Sequence, residues 1–211
     1  MGIKATALLS RFFKRRDESP DEVLSTADAV ALINETQQEL LGMKLIRKKA
    51  TLPWAADTEE IDLPEDFSAI ASDRAYMDGY ARVWQDYDGP DAEGLFLLYD
   101  SIRLYPAPTA TTEIEFLYYA VPTDITDDPA EDEEIMGGLV APSLGRFFIF
   151  RMLEAAAMLD EEASIAQSLQ YRGDAAKAEL MLWRHQVYGA DQAGWVDDPL
   201  ITQHQDYVDS Y

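Results

Sequence analysis

Glu113-Ile114-Glu115-Phe116 alternates polar and apolar side chains and runs on into Leu117-Tyr118, and this stretch decides the architecture. Successive side chains of a strand point to opposite faces, so a two-residue period reads as a half-buried β-strand. Just upstream, Leu95–Tyr99 and Ile102–Tyr105 flank Asp100-Ser101, a spacing that predicts a tight hairpin. Further out, Glu60-Ile61-Asp62-Leu63 alternates again and is halted by Pro64, which cannot donate to a sheet ladder. Ala50-Thr51-Leu52 predicts a short extended piece, and Phe67 with Ile70 a helical turn. Alternation resumes through Tyr76-Met77, Tyr80 and Val83-Trp84, and residues 86–94, rich in Asp, Gly and Pro, predict a turn. Residues 48–122 therefore read as one antiparallel β unit.

The period changes on both sides. Ser25 with Asp28 fits a capping box, and Val30, Ile33, Gln37, Leu40 and Leu41 then follow at helical spacing. After Pro142, which suits a first helical turn, Leu144, Phe147, Phe148, Arg151, Met152, Ala155 and Leu159 share one face. A further helix carries Ile165, Leu169, Ala176, Leu180 and Trp183, with Gly173 as a predicted break or kink. The fold class is α+β. A small helical bundle, from helix 25–47 and two C-terminal helices in 140–188, holds the inserted β unit and an acidic loop, 123–139. Residues 1–24 read as a basic, flexible N-terminal arm and 189–211 as an extended C-terminal tail.

The chain has 211 residues and no cysteine, which excludes disulfides, thiolate metal sites and cysteine nucleophiles. Forty acids against 17 bases give a net charge of −23. The imbalance is uneven: residues 1–50 hold 9 bases and 7 acids, residues 51–211 hold 8 bases and 33 acids. A body this acidic repels nucleic acid, which argues against sequence-specific DNA binding by it. Self-repulsion on this scale suits a protein working in high salt, where screening removes most of the penalty. No apolar run reaches the length of a membrane span. Gly2 with Thr6 fits a loose acylation pattern, and an exposed arm of a soluble chain is the blander reading.

Chemistry finds no foothold. The two histidines, His185 and His204, do not assemble into a nucleophilic triad. Neither a phosphate-binding loop nor a dinucleotide fingerprint occurs, and no cofactor or resident metal is implied. Asp124, Asp127, Asp128, Glu131, Asp132, Glu133 and Glu134 are dense but lack the order of a calcium loop. A carboxylate- or metal-dependent hydrolase stays as a rival reading, as does a DNA-end binding packaging factor using Arg11, Lys14, Arg15 and Arg16. Phe147, Phe148, Phe150 and Leu153 point in more directions than one bundle face can bury, which predicts a neighbouring copy against this helix. Arg146, Phe147, Phe150 and Arg151 are the candidate interface, with the arginines meeting acids of the adjacent copy.

Several motifs then fall in a telling order: Asn34-Glu35, Ala50-Thr51-Leu52, Ile61-Asp62-Leu63-Pro64-Glu65-Asp66-Phe67, Ile102-Arg103-Leu104-Tyr105-Pro106-Ala107-Pro108 and Ile114-Glu115-Phe116-Leu117-Tyr118-Tyr119. This succession, over residues 25–188, resembles the head-to-tail adaptor (connector) proteins of tailed viruses. The resemblance implies a structural virion protein and not an enzyme. It implies a ring of copies, usually twelvefold, docked between the portal protein and the next tail or neck protein, with genome DNA passing through unread. It places the protein in the virion neck, and in host cytoplasm during assembly, with no membrane partner. In such proteins the C-terminal segment commonly reaches the portal, which singles out Trp195, Pro199, Leu200, Tyr207 and Tyr211. The basic arm and the acidity depart from the family pattern, and the acidity points to a virus of a salt-loving host, such as a halophilic archaeon.

Overall fold

The computed structural model describes residues 2–16, 24–89 and 92–189. The fold is α+β. Its helices are α1 (Ala5–Arg16), α2 (Thr26–Leu40), α3 (Leu144–Leu159) and α4 (Ala163–Tyr188). Its strands are β1 (Arg47–Trp54), β2 (Glu60–Asp62), β3 (Phe67–Met77), β4 (Tyr80–Gln85), β5 (Gly94–Leu97), β6 (Ser101–Tyr105) and β7 (Thr112–Ala120). The described residues form two compact units, a helical one from 2–46 with 122–189 and a β unit of 47–121.

In the helical unit, α2 starts where the capping box predicts. Asp28 N donates to Ser25 Oγ at 3.1 Å and Ser25 N donates to Asp28 Oδ2 at 3.3 Å. Its buried face includes Val30, Ile33, Gln37 and Leu40. The N-terminal arm is the largest departure from the sequence reading. Residues 5–16 form a helix that buries Ala5, Leu8, Leu9, Phe12 and Phe13, an i, i+3, i+4 set that the basic cluster among them had obscured. This helix packs on α3 and α2. It supplies, from the same chain, part of the cover that the apolar α3 needs. Phe147 and Phe148 are fully buried within the subunit and Phe150 is half-buried, so the case for a neighbouring copy against Phe147 falls. Gly173 neither breaks nor kinks its helix into two: α4 runs through it for 26 residues. Ala176 and Leu180 are buried on α4 as the spacing predicts, but the ends of the stripe shift by one residue, to Ala166 and Arg184, while Ile165 is exposed.

The β unit is a seven-stranded sheet in the order β1-β7-β3-β4-β5-β6-β2. Its pairs are antiparallel except β4–β5, which run parallel through Trp84–Leu95 and Gln85–Phe96, so the unit is mixed and not purely antiparallel. The edge strands β1 and β2 are consecutive in sequence, joined only by residues 55–59, and this short link draws the two edges together into a nearly closed sheet. The β3–β4 hairpin turns on Asp78 (φ 49°) and Gly79 (φ 80°), the left-handed pair that a two-residue turn between twisted strands requires. Residues 67–70 are strand and not a helical turn. Register irregularities between Phe67 and Ala69, and between Ile70 and Ala75, break the two-residue period there, which hides the strand from a periodicity reading. Trp54, the last residue of β1, is fully buried and donates its ring N–H to Thr58 O at 2.7 Å.

Candidate functional site

Three constellations organise the described residues, two on helices and one at a turn of the β unit. On α2, Asn34 and Gln37 stand one helical turn apart. Asn34 Nδ2 donates to Ile125 O at 3.0 Å and Ile125 N donates to Asn34 Oδ1 at 2.8 Å. Gln37, fully buried, donates to Thr123 O at 3.2 Å and accepts from Met136 N at 2.7 Å. A buried amide left unpaired would be costly, and here each is satisfied by backbone. The pair therefore pins both ends of the acidic segment to the helix. Within that segment Glu133 folds back, accepting from Thr126 N at 2.8 Å, Thr126 Oγ1 at 2.9 Å and Ala130 N at 3.2 Å. The backbone N–H of Thr126 is the main reason its carboxyl sits below the ordinary value. Among the described residues no group of three or more His, Asp or Glu is placed to hold a metal ion.

On α3, Arg151 gathers three carboxylates of its own subunit: Glu154 at 2.8 Å, Asp174 at 2.8 Å and Glu39 at 3.0 Å, the last shared with Lys177 at 2.8 Å. Its guanidinium lies 5.4 Å from the centre of the Phe147 ring. Gly173 leaves the room: a Cβ there would already be in van der Waals contact with the Arg151 Nη1 and Cδ. Burial alone would lower the pKa of Arg151, but hydrogen bonds to Glu154 and Glu39 carry it above its ordinary value. Arg151, expected to meet acids of an adjacent copy, meets three acids of its own subunit, because α2, α3 and α4 each bring it one. Nothing in the spacing of Glu39, Arg151 and Asp174 signals this; only the packing of three helices does.

In the β unit, Leu63-Pro64-Glu65-Asp66-Phe67 is a turn with an anchor. Phe67 N donates to Pro64 O at 2.9 Å, and Val121 N donates to Asp66 O at 2.8 Å. The Asp66 carboxylate accepts from Lys48 Nζ at 2.6 Å and Tyr118 Oη at 2.8 Å, while Phe67 stacks on Tyr118 at 5.8 Å. Partial burial would push Asp66 up, but the hydrogen bonds from Lys48 and Tyr118 outweigh it and hold the carboxyl below 3.8. Burial, helped by the bond to Asp66, pushes Tyr118 up to about 12. The motif thus ties together the start of β3, the start of β1 and the end of β7.

The chain matches the SU10 adaptor protein family over residues 5–192. It belongs to that family. A search of curated proteins gave no match. As a phage adaptor the protein has a structural role, and the family implies contact with portal and tail proteins and a place in the virion neck. The match begins at α1, a helix the sequence reading had set aside as an arm.

The adaptor's remaining candidate residues scatter. Arg146 pairs with Glu179 of its own subunit, which also accepts from Ser143, though its side chain stays 60 % exposed. On α1, Arg16 pairs with Asp160 at 2.9 Å. Arg11, Lys14 and Arg15 are exposed and have no ion-pair partner among the described residues. Trp195, Pro199, Leu200, Tyr207 and Tyr211 lie outside the described residues, as does His204; His185 is exposed on α4. No helix among the described residues is long and apolar enough to cross a membrane.

Proposed function

We propose that this adaptor forms a closed ring of identical subunits, twelvefold by analogy with its relatives, that joins the capsid portal to the tail and lines the DNA exit channel. The observation that carries the reading is the family match, which takes in both structural units. Arg146 and the half-buried Phe150 stay available to a neighbouring copy, and residues 190–211 are assigned to the portal. The acidity is read as adaptation to a high-salt host. The test is to mix purified adaptor with portal protein in molar KCl and measure mass by light scattering, for the full chain and for a chain ending at Gly189. The full chain should join the portal as a ring and the truncated one should fold without joining. A full-length protein that stays monomeric with portal present would remove the ring, and a truncated chain that joins normally would remove the role of the tail.

A second reading, a packaging factor that grips DNA ends, rests on exposed Arg11, Lys14 and Arg15. Three phosphate contacts would give log K a slope of about −2.7 against log salt. Duplex binding without that slope, or none, removes this reading.

A further inference from the structure

Helix α4 is apolar on two opposite sides. One side, with Ala176 and Leu180, is buried in the helical unit. The other faces solvent: Tyr171 is 67 % and Leu182 64 % exposed, and Ala175 and Ala178 between them are exposed too. At 100° per residue these four lie about 160–220° around the helix from Leu180, so they form a single outward stripe. Their spacing of four, three and four residues is that of a helix–helix seam.

We propose that this stripe is a self-association face on which a second copy of the chain docks, α4 against α4 and antiparallel. The spacing of the stripe reads the same in both directions. Tyr171 and Leu182 are equidistant from the point between Ala176 and Lys177, and so are Ala175 and Ala178. An antiparallel pair centred there sets each Tyr171 on Leu182 of the other copy, and the small alanines meet in the middle, where they let the helices approach closely. Charge agrees with shape. Arg172 and Glu179 occupy the same flank of the seam, which antiparallel pairing brings together, with an axial offset of about 3 Å. The contact occurs twice by symmetry. Arg172 is exposed and has no ion-pair partner among the described residues, and Glu179 is about half-exposed beside Arg146. The location suits copies that otherwise repel: on a chain of net charge −23, α4 carries three bases and two acids. The outer faces of α1 and α2 carry Arg11 and Lys14, and Asp28 and Glu35, so neither offers an apolar match. A two-fold contact of this kind does not propagate around a head-to-tail ring. It therefore belongs to the free protein before assembly and is independent of the ring.

The chain lacks cysteine, which makes cross-linking clean. Tyr171→Cys and Leu182→Cys full-length proteins are mixed and oxidised, each alone and together. In the antiparallel pair the two positions are level, whereas like positions are offset by about 16 Å along the axis, beyond reach of a disulfide. The mixture should give a covalent dimer and neither variant alone should. In parallel, sedimentation equilibrium of the full chain should show a concentration-dependent dimer. Leu182→Gln, which enters the contact twice, should weaken it by about a hundredfold or more with the circular dichroism spectrum unchanged. A protein that remains monomeric, a mixture that does not cross-link, cross-linking within single variants, or a dimer indifferent to Leu182→Gln would each overturn the proposal.

Discussion

Replacing Arg151 with methionine separates a charge clamp from simple packing. Methionine keeps an unbranched stem over Phe147 and beside Gly173, so the loss is mainly that of the guanidinium. Three carboxylates then remain with only Lys177 near Glu39. An exposed pair contributes up to about 1 kcal/mol, whereas stranding one partner of a buried pair costs about 3–5 kcal/mol. Arg151 is 16 % exposed, and Glu154, Glu39 and Asp174 are 21 %, 32 % and 55 % exposed, which places this cluster between the two cases. The expected cost is about 2–3 kcal/mol, or roughly 5–10 °C in Tm for a chain of this size. Urea unfolding of the full chain in 0.1 M KCl reads it, since urea leaves ionic strength alone. Asp174→Asn, at the exposed end of the cluster, should cost less than about 1 kcal/mol. The deficit of Arg151→Met should shrink in 2 M KCl. A cost under about 0.5 kcal/mol would refute the clamp, and a larger cost indifferent to salt would assign it to packing.

Two further outcomes follow from local geometry. Gly173→Ala should be neutral or stabilising by up to about 1 kcal/mol, because its Cβ meets Arg151 only at contact distance and alanine favours a helix interior. Gly173→Leu should expel Arg151 and lower Tm; equal melting of both variants would show that Arg151 does not occupy that space. In the β unit, Asp66 has a lowered pKa, so its contribution is complete above 3.8 and is lost as pH falls through its folded value. Tyr118, raised to about 12, contributes fully below 10.0 and loses its contribution as pH rises from there toward 12. Tyr118→Phe should reduce both dependences in urea titrations run from about pH 4 downward and from about pH 10 upward, and unchanged slopes at both ends would discount the Asp66–Tyr118 bond.

What the sequence disclosed were features whose cause is local. Ser25 and Asp28 close a box within one turn, and the flanks of Asp100-Ser101 meet as a hairpin because little chain separates them. What it withheld depends on distant partners. The seam of α1 was present as Leu8, Leu9, Phe12 and Phe13, but the basic residues beside it read as an arm until α3 was there to cover. That single omission also produced the wrong partner for Phe147, since apolar surface without visible cover invites a second copy as its explanation. Gln37 fell on an apolar face and so was legible as buried. Its duty toward Thr123 and Met136 was not, because nearly a hundred residues intervene. Strand β3 was hidden by its own irregularities, which shift the side-chain period where the reading relied on it.

Salt dependence follows from how these charges are divided. Many of the bases hold acids inside one subunit: Arg16 with Asp160, Lys48 with Asp66, Lys49 with Glu115, Arg103 with Glu59, and the clamp around Arg151. These pairs are in contact at about 3 Å, so even the screening length of about 3 Å at 1 M salt weakens them only in part. The excess acids are spread over the surface, and their mutual repulsion acts over distances comparable with the length of about 10 Å that holds at 0.1 M. Raising KCl therefore removes repulsion faster than attraction. With 40 acids against 17 bases, the sum should favour the folded chain, and Tm should climb steadily from 0.1 to 2 M KCl. Potassium sulfate stabilises most proteins through surface exclusion, so chloride is the discriminating salt. A flat melting curve across that range would mean that the acids lie too far apart to repel in dilute buffer. A falling one would mean that contact pairs such as Lys48–Asp66 dominate the electrostatics.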